Sequence, residues 1–214
     1  MVAQFDYLRN SGYKGHKHIA RNSVNTMDTL LHVTTRCELR DWLTLHSMTE
    51  KEAWVYSVVK PVPGKISYLD IVEEALCFGW IDSTKKTIDG GTVQRISPRK
   101  KNGNWTELNK ERVRRLEKLG LMTDMGRKCL PDMSAESFSV LPRVMDALRA
   151  DPGVWENLPA LPELYRRVRI DTIQWCLKTG QPDLFGKRLL KFMDNTRQGK
   201  MYGAWHDDGR LLDY

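Results

Sequence analysis

Six residues within one stretch carry side chains suited to recognising an anion: Trp80, Asp82, Arg95, Arg99, Trp105 and Asn109. Arg95 and Arg99 flank Ile96-Ser97-Pro98, and a guanidinium presents a planar fork of N–H donors that matches a carboxylate or phosphate. Trp105 and Asn109 fall on the first turns of a following helix, where unpaired backbone N–H groups favour negative charge. Alternate residues of a strand share a face, so Trp80 points with Asp82 and Arg95 with Ser97. Antiparallel pairing then brings Asp82 near Arg95 or Arg99 across the ladder. Two readings stay open. In one, an Asp82–arginine ion pair fixes the hairpin and Trp80 and Trp105 are core. In the other, these residues form an arginine-lined, tryptophan-walled groove for a carboxylate, a phosphate or a peptide terminus.

The element that must position them runs from Ser67 to Asn109. Ser67 with Asp70 three residues on resembles a capping box, and Asp70, Glu73 and Glu74 put negative charge in the opening turns of a helix. Adjacent on a helix, Glu73 and Glu74 point to different sides and suit the helix dipole better than a paired-carboxylate mechanism. Leu69, Val72, Ala75 and Leu76 supply its apolar stripe, and Gly79 sits where a left-handed residue ends it. Trp80–Lys85 reads as a strand, Asp89-Gly90-Gly91 as a hairpin turn and Thr92–Ile96 as the return strand. Asn104 with Glu107 three on opens the next helix, from about Trp105 to Leu119. That helix buries Leu108, Val113, Leu116 and Leu119 and turns Lys110, Arg112, Arg114, Arg115 and Lys118 outward.

Before this unit, residues 1–26 show no periodicity and read as a poorly structured extension, with Met27 a plausible natural start. A strand follows Met27. Thr35 and Glu38 form a capping box for a helix ending near His46, with Leu39, Trp42, Leu43 and Leu45 inward and Arg36, Arg40 and Asp41 outward. Ala53–Val59 is the strongest strand candidate. After the unit, Thr123-Asp124 starts a short helix and residues 131–142 form a linker. Prolines 142, 152, 162 and 182 each stand where a first helical residue belongs, which predicts helices over 143–150, 152–157, 162–178 and 182–197, the last two an αα-hairpin about Gly180. Tyr165, Val168, Thr172, Trp175 and Cys176 share a face of the third, and Phe185, Leu189, Phe192 and Met193 a face of the fourth. The expected fold is α+β: a small, mostly antiparallel sheet with packed helices in a domain over 27–130, then a helical domain over 143–198 and a short tail over 199–214 whose Trp205 packs back.

Composition narrows the function classes. The chain has 214 residues, 41% hydrophobic and 29% charged, with a net charge of +7, a balance typical of a folded domain rather than a disordered one. Apolar runs are only a few residues long, so no transmembrane helix is expected. Nor does an apolar h-region follow the basic N-terminal residues, and the expected location is cytoplasmic. The four cysteines are widely spaced without a C-x-x-C pair and read as reduced thiols. None of the five histidines has a partner at metal-ligand spacing, and no phosphate-binding glycine loop or nucleophile elbow is present. No metal and no cofactor is therefore expected. Residues 82–118 hold eleven Lys/Arg against five Asp/Glu, and residues 163–200 nine against four. This clustering suits either an anionic partner or solvated helix faces. The loop Lys100-Lys101-Asn102-Gly103-Asn104 beside Trp105 opens a weaker nucleic-acid reading through the 99–118 basic segment, which has no recognised nucleic-acid motif.

Three motifs in order, Ala75-Leu76-Cys77-Phe78-Gly79-Trp80-Ile81-Asp82, Gln94-Arg95-Ile96-Ser97-Pro98-Arg99 and Asn104-Trp105-Thr106-Glu107-Leu108-Asn109-Lys110, resemble the YdeI/OmpD-associated family, labelled bacteriocin-protection proteins. The similarity runs from about Leu30 to Lys200. It implies a role in protection against bacteriocins or antimicrobial peptides or in stress response, with no settled reaction. Trp80, Asp82, Arg95, Arg99, Trp105 and Asn109 are the positions that match the family motifs. The leading expectation is a non-enzymatic protein binding an anionic small ligand or peptide beside the 80–99 hairpin. The alternatives are an enzyme using Asp82 as acid or base among arginines, and the nucleic-acid binder.

Overall fold

The computed structural model describes residues 29–214. The extension expected over 1–26 lies outside them. Four strands form one sheet in the order β1-β2-β4-β3: Leu30–Leu31, Ala53–Tyr56, Gly91–Pro98 and Trp80–Ile88 respectively. β1 pairs parallel to β2, and β4 runs antiparallel to both neighbours. The sheet is therefore mostly antiparallel, as the sequence predicts. β2 is shorter than the expected 53–59 because the chain leaves the ladder at Ser57 and loops back, Val58 N–H bonding Ile66 O at 3.2 Å and Tyr68 N–H bonding Val58 O at 2.8 Å.

The hairpin turns on Asp89 and Gly90, both at positive φ (48° and 75°), the backbone that a two-residue connection between right-twisted strands requires. β3 pairs Trp80 with Pro98 and Asp82 with Ile96, then shifts register between Asp82 and Lys85. This bulge, one extra residue on β3, keeps Lys85 opposite Gln94 on the face that carries Asp82.

Helix α1 (Arg36–His46) has the Thr35/Glu38 capping box, and α2 (Tyr68–Cys77) is capped by Ser67. Here Asp70 differs from a capping-box partner: its carboxylate accepts the Ser67 hydroxyl at 2.6 Å. Ile71 to Cys77 are all buried, so α2 is the central helix, enclosed between the sheet, α1, and α3 (Glu107–Lys118). Leu39, Leu43, Val55, Ile71, Leu76, Trp80, Ile96 and Leu116 make the first core. Gly79, at φ 73°, ends α2, and the Cβ of any other residue there would come 2.7 Å from Cys129 Sγ.

Helices α4 (Asp124–Lys128), α5 (Pro142–Arg149), α6 (Pro152–Asn157), α7 (Glu163–Lys178) and α8 (Pro182–Arg197) follow the expected order, with proline in the first turn of α5, α6 and α8. Their core holds Val144, Leu148, Tyr165, Val168, Ile173, Phe185 and Phe192, and Trp205 packs edge-on to Tyr165 at 5.6 Å. Three expected core residues, Leu45, Leu119 and Trp175, are exposed.

The charged faces differ most from expectation. Glu73 and Glu74 are both buried, and both meet Arg36. Glu74 also pairs with Arg40, and Glu73 with Arg115 and Arg210. Arg36 and Arg40 thus face inward, because a helix enclosed on all sides must neutralise its own carboxylates. The same demand turns α3 around: Lys110 and Arg112 are buried, pairing with Glu107 and Asp207. The terminal stretch is no loose tail, since Asp207, Arg210 and Tyr214 each bind the first core's helices.

Candidate functional site

The structure separates the six residues singled out from sequence. Trp80 is core, 1% exposed, edge-on to Trp42 at 5.9 Å and donating its indole N–H to Ser47 O at 3.2 Å. Arg95 stands opposite Trp54 on the far face of the sheet, where Nε and Nη2 bond Glu52 Oε2 at 2.9 and 2.6 Å. The expected groove therefore loses one tryptophan to the core and one arginine to the other face. No ion pair joins Asp82 to either arginine among the described residues; its carboxylate instead accepts the Tyr68 hydroxyl at 2.8 Å.

Arg99 and Trp105 do come together, just beyond the end of β4. Arg99, 8% exposed, lies over the Trp105 ring with its guanidinium carbon 3.7 Å from the centroid, and its Nη1 bonds Asn104 O at 2.8 Å. Its Nε and Nη2 are buried with no hydrogen-bond partner. Burial pulls its pKa down to about 10, against the opposing fields of Asp82 and Cys129. Asn109 Oδ1 accepts from Arg112 Nη1 at 2.7 Å, which ties it to the ion pair with Asp207. The N-terminus of α3 is also occupied: its cap is Thr106 rather than Asn104, Asn109 N–H goes to Thr106 Oγ1, and Glu107 N–H goes to Asp171 at 3.0 Å. Those donors are not free for an anion.

The open space lies elsewhere, at the hairpin end of the sheet. A cavity of about 550 Å³ is bounded by His32–Thr34, Tyr56–Val59, Gly64–Ile66, Tyr68, Lys85 and Gly90–Thr92, a volume in the range of small-molecule sites. Three local devices build it. The Val58–Ile66 and Tyr68–Val58 backbone bonds hold the returning loop, Ser57 N–H bonds Thr92 O at 2.9 Å, and the β3 bulge sets Lys85 on the cavity side. Gly91 is required where it stands, since a Cβ there would lie 2.8 Å from the Tyr56 ring.

The titratable lining is His32, Tyr56, Lys65, Tyr68 and Lys85, with no carboxylate. Lys85 Nζ sits 4.9 Å over the Tyr68 ring, an attraction that holds the ammonium beside the cavity. Burial, then the charge and hydrogen bond of Asp82, push the Tyr68 phenol well above its ordinary value, so it remains a neutral donor to Asp82. By contrast, the cations of the neighbouring helices are spent: Arg112 on Asp207, Arg114 on Glu111, Arg115 on Glu73 and Lys110 on Glu107. Lys65 and Lys85 form no ion pair among the described residues. Sequence reasoning passed over both. The signals were Lys60-Pro61-Val62-Pro63-Gly64-Lys65, a turn beside the α2 cap, and a Lys85-Lys86 pair inside a strand.

Asp82 lines neither this cavity nor the second cavity, in the helical half. Among the described residues no group of three or more His, Cys, Asp or Glu is placed to hold a metal ion, and no helix is long and apolar enough to cross a membrane. No curated protein and no solved structure matches the chain. Residues 31–129, from the first strand through α4 and including every residue of the sheet-end cavity, are similar to a family described as a domain of unknown function (DUF8412).

Proposed function

We propose that this protein is a non-enzymatic binding protein that takes a small anionic ligand in the cavity at the end of the sheet. The observation that carries the reading is the charge of that cavity: two exposed lysines and no carboxylate line it, whereas the buried cations of α3 are paired. A low-dielectric wall of Val33, Val58 and Ile66 strengthens the field of both ammonium groups at the ligand. Hydroxyls of Ser57 and Thr92 stand ready as neutral hydrogen-bonding groups, whereas that of Thr34 donates to Glu38. The resemblance to the YdeI/OmpD-associated family supports a setting in bacteriocin protection or stress response, and the cytoplasm is the location proposed with it.

The experiment is thermal stabilisation by a panel of acetate, succinate, citrate and inorganic phosphate, run at constant ionic strength. At least one multivalent anion raises the melting temperature of the wild type. The double variant Lys65→Met/Lys85→Met keeps its melting temperature without ligand and loses that response. An unchanged response in the double variant, or no response to any anion in the wild type, rejects the reading.

A further inference from the structure

The helical half contains a second cavity of about 330 Å³, which shares no residue with the first. It opens where the short helix α6 and the 3-10 turn Leu158–Ala160 leave a gap against α5 and α7. Phe138, Met145, Leu148, Trp155, Leu158 and Ile170 wall it. Trp155 is 43% exposed although an apolar hollow lies beside it. Indole surface left half in water at the mouth of an apolar cavity is surface that a ligand can cover.

The polar lining is Glu163, Arg166 and Arg167. Glu163 is engaged by Arg167 Nη1 at 3.0 Å, and Arg167 also pairs with Glu107 and Glu111. Arg149, on the adjacent helix, lies over the Trp155 ring at 5.4 Å. Arg166 differs from these. Its side chain has no ion pair, hydrogen bond or ring contact among the described residues, and its Nε is closed off from solvent without an acceptor. A guanidinium without a counter-ion in the wall of an apolar hollow is suited to a planar acceptor such as a carboxylate.

We propose that this cavity binds a small hydrophobic monocarboxylate, with its apolar tail against Trp155, Leu148 and Ile170 and its carboxylate on Arg166. Arg166 is the lining charge without an ion-pair partner among the described residues, since Glu163 and Arg167 are paired. This site stands independently of the sheet-end cavity, which shares no residue with it and carries two lysines.

The test uses the full chain with 5-fluorotryptophan, read by ¹⁹F NMR, with the Trp155 resonance assigned from Trp155→Phe. Octanoate is the probe and 1-octanol its uncharged counterpart. Octanoate shifts the Trp155 resonance saturably and at concentrations at least tenfold lower than octanol. Arg166→Met removes that preference while leaving the octanol response and the melting temperature unchanged. A Trp155 resonance that does not respond to octanoate, equal responses to octanoate and octanol in the wild type, or a preference that persists in Arg166→Met overturns the proposal.

Discussion

Arg112 on α3 donates from Nε and Nη2 to the two carboxylate oxygens of Asp207, at 2.6 and 2.9 Å, across 95 positions of chain. Both side chains are buried, and Arg112 carries on to Asn109. This pair fastens the terminal stretch onto the first core, beside the Tyr68–Asp82 hydrogen bond that borders the cavity. Asp207 lies at φ 49°, in the left-handed region that aspartate enters more readily than most residues.

Removing one member of a buried pair leaves the other charge without compensation. Asp207→Ala is expected to lower the unfolding free energy by about 3–5 kcal/mol, measured by urea denaturation. The double variant Arg112→Met/Asp207→Leu recovers much of the loss, since no charge is then stranded. A loss below about 1 kcal/mol, the level of an exposed pair, contradicts the assignment.

Arg95 is a structural residue of the far face. Arg95→Ala removes the Glu52 bond and is expected to cost about 1 kcal/mol, as a half-exposed pair does. Anion-dependent stabilisation of the protein stays at the wild-type level. Loss of that response in Arg95→Ala with no change in the unliganded melting temperature would return Arg95 to the site.

Arg99 presents the opposite case, a buried cation with two unsatisfied N–H groups. Arg99→Met keeps the stacking volume on Trp105 and removes the desolvated charge, so it is expected to raise the unfolding free energy by roughly 1 kcal/mol, a part of what burying an unpaired charge costs. A fall of similar size in the melting experiment would mean that the ring contact and the bond to Asn104 outweigh desolvation.

The Asp70 carboxyl responds to pH. Burial pushes it up, but the Ser67 hydroxyl and the guanidinium groups of Arg210 and Arg36 outweigh burial and hold it below its ordinary value. A depressed carboxyl stabilises the native state above its unfolded value, about 4, and that contribution fades as pH falls through the lower native value. Asp70→Asn is therefore expected to be less stable than wild type at pH 7, with the two denaturation curves converging as pH falls below about 4. A gap that stays constant from pH 7 to pH 3 would show that Asp70 acts through packing alone.

Local signals in the sequence translated well into local structure. Thr35 with Glu38, Gly79, Asp89-Gly90 and the prolines at 142, 152 and 182 all act within a few residues of themselves, and each forms the cap, stop, turn or first turn expected. The orientation of charged faces was not legible in the same way. Arg112 and Arg115 look solvated in a sequence window, because the carboxylates that bury them, Asp207 and Glu73, lie 95 and 42 positions away. The candidate site followed the same division. Arg99 meets Trp105 because the chain leaves β4 after Pro98 and turns toward α3, whereas strand alternation separates Arg95 from Asp82. The cavity itself depends on a bulge at β3 and on a loop closed by Val58 and Ile66, neither of which leaves a periodic trace.

Whether the sheet-end cavity holds an anion between Lys65 and Lys85, as proposed, is read by amide chemical-shift mapping of the ¹⁵N-labelled protein titrated with citrate and with inorganic phosphate at constant ionic strength. Saturable shifts concentrated at residues 32–34, 56–59, 64–68, 85 and 90–92, and absent from Lys65→Met/Lys85→Met, are the predicted result. Shifts confined to the Lys100-Lys101 loop, or equal shifts in the double variant, would contradict it.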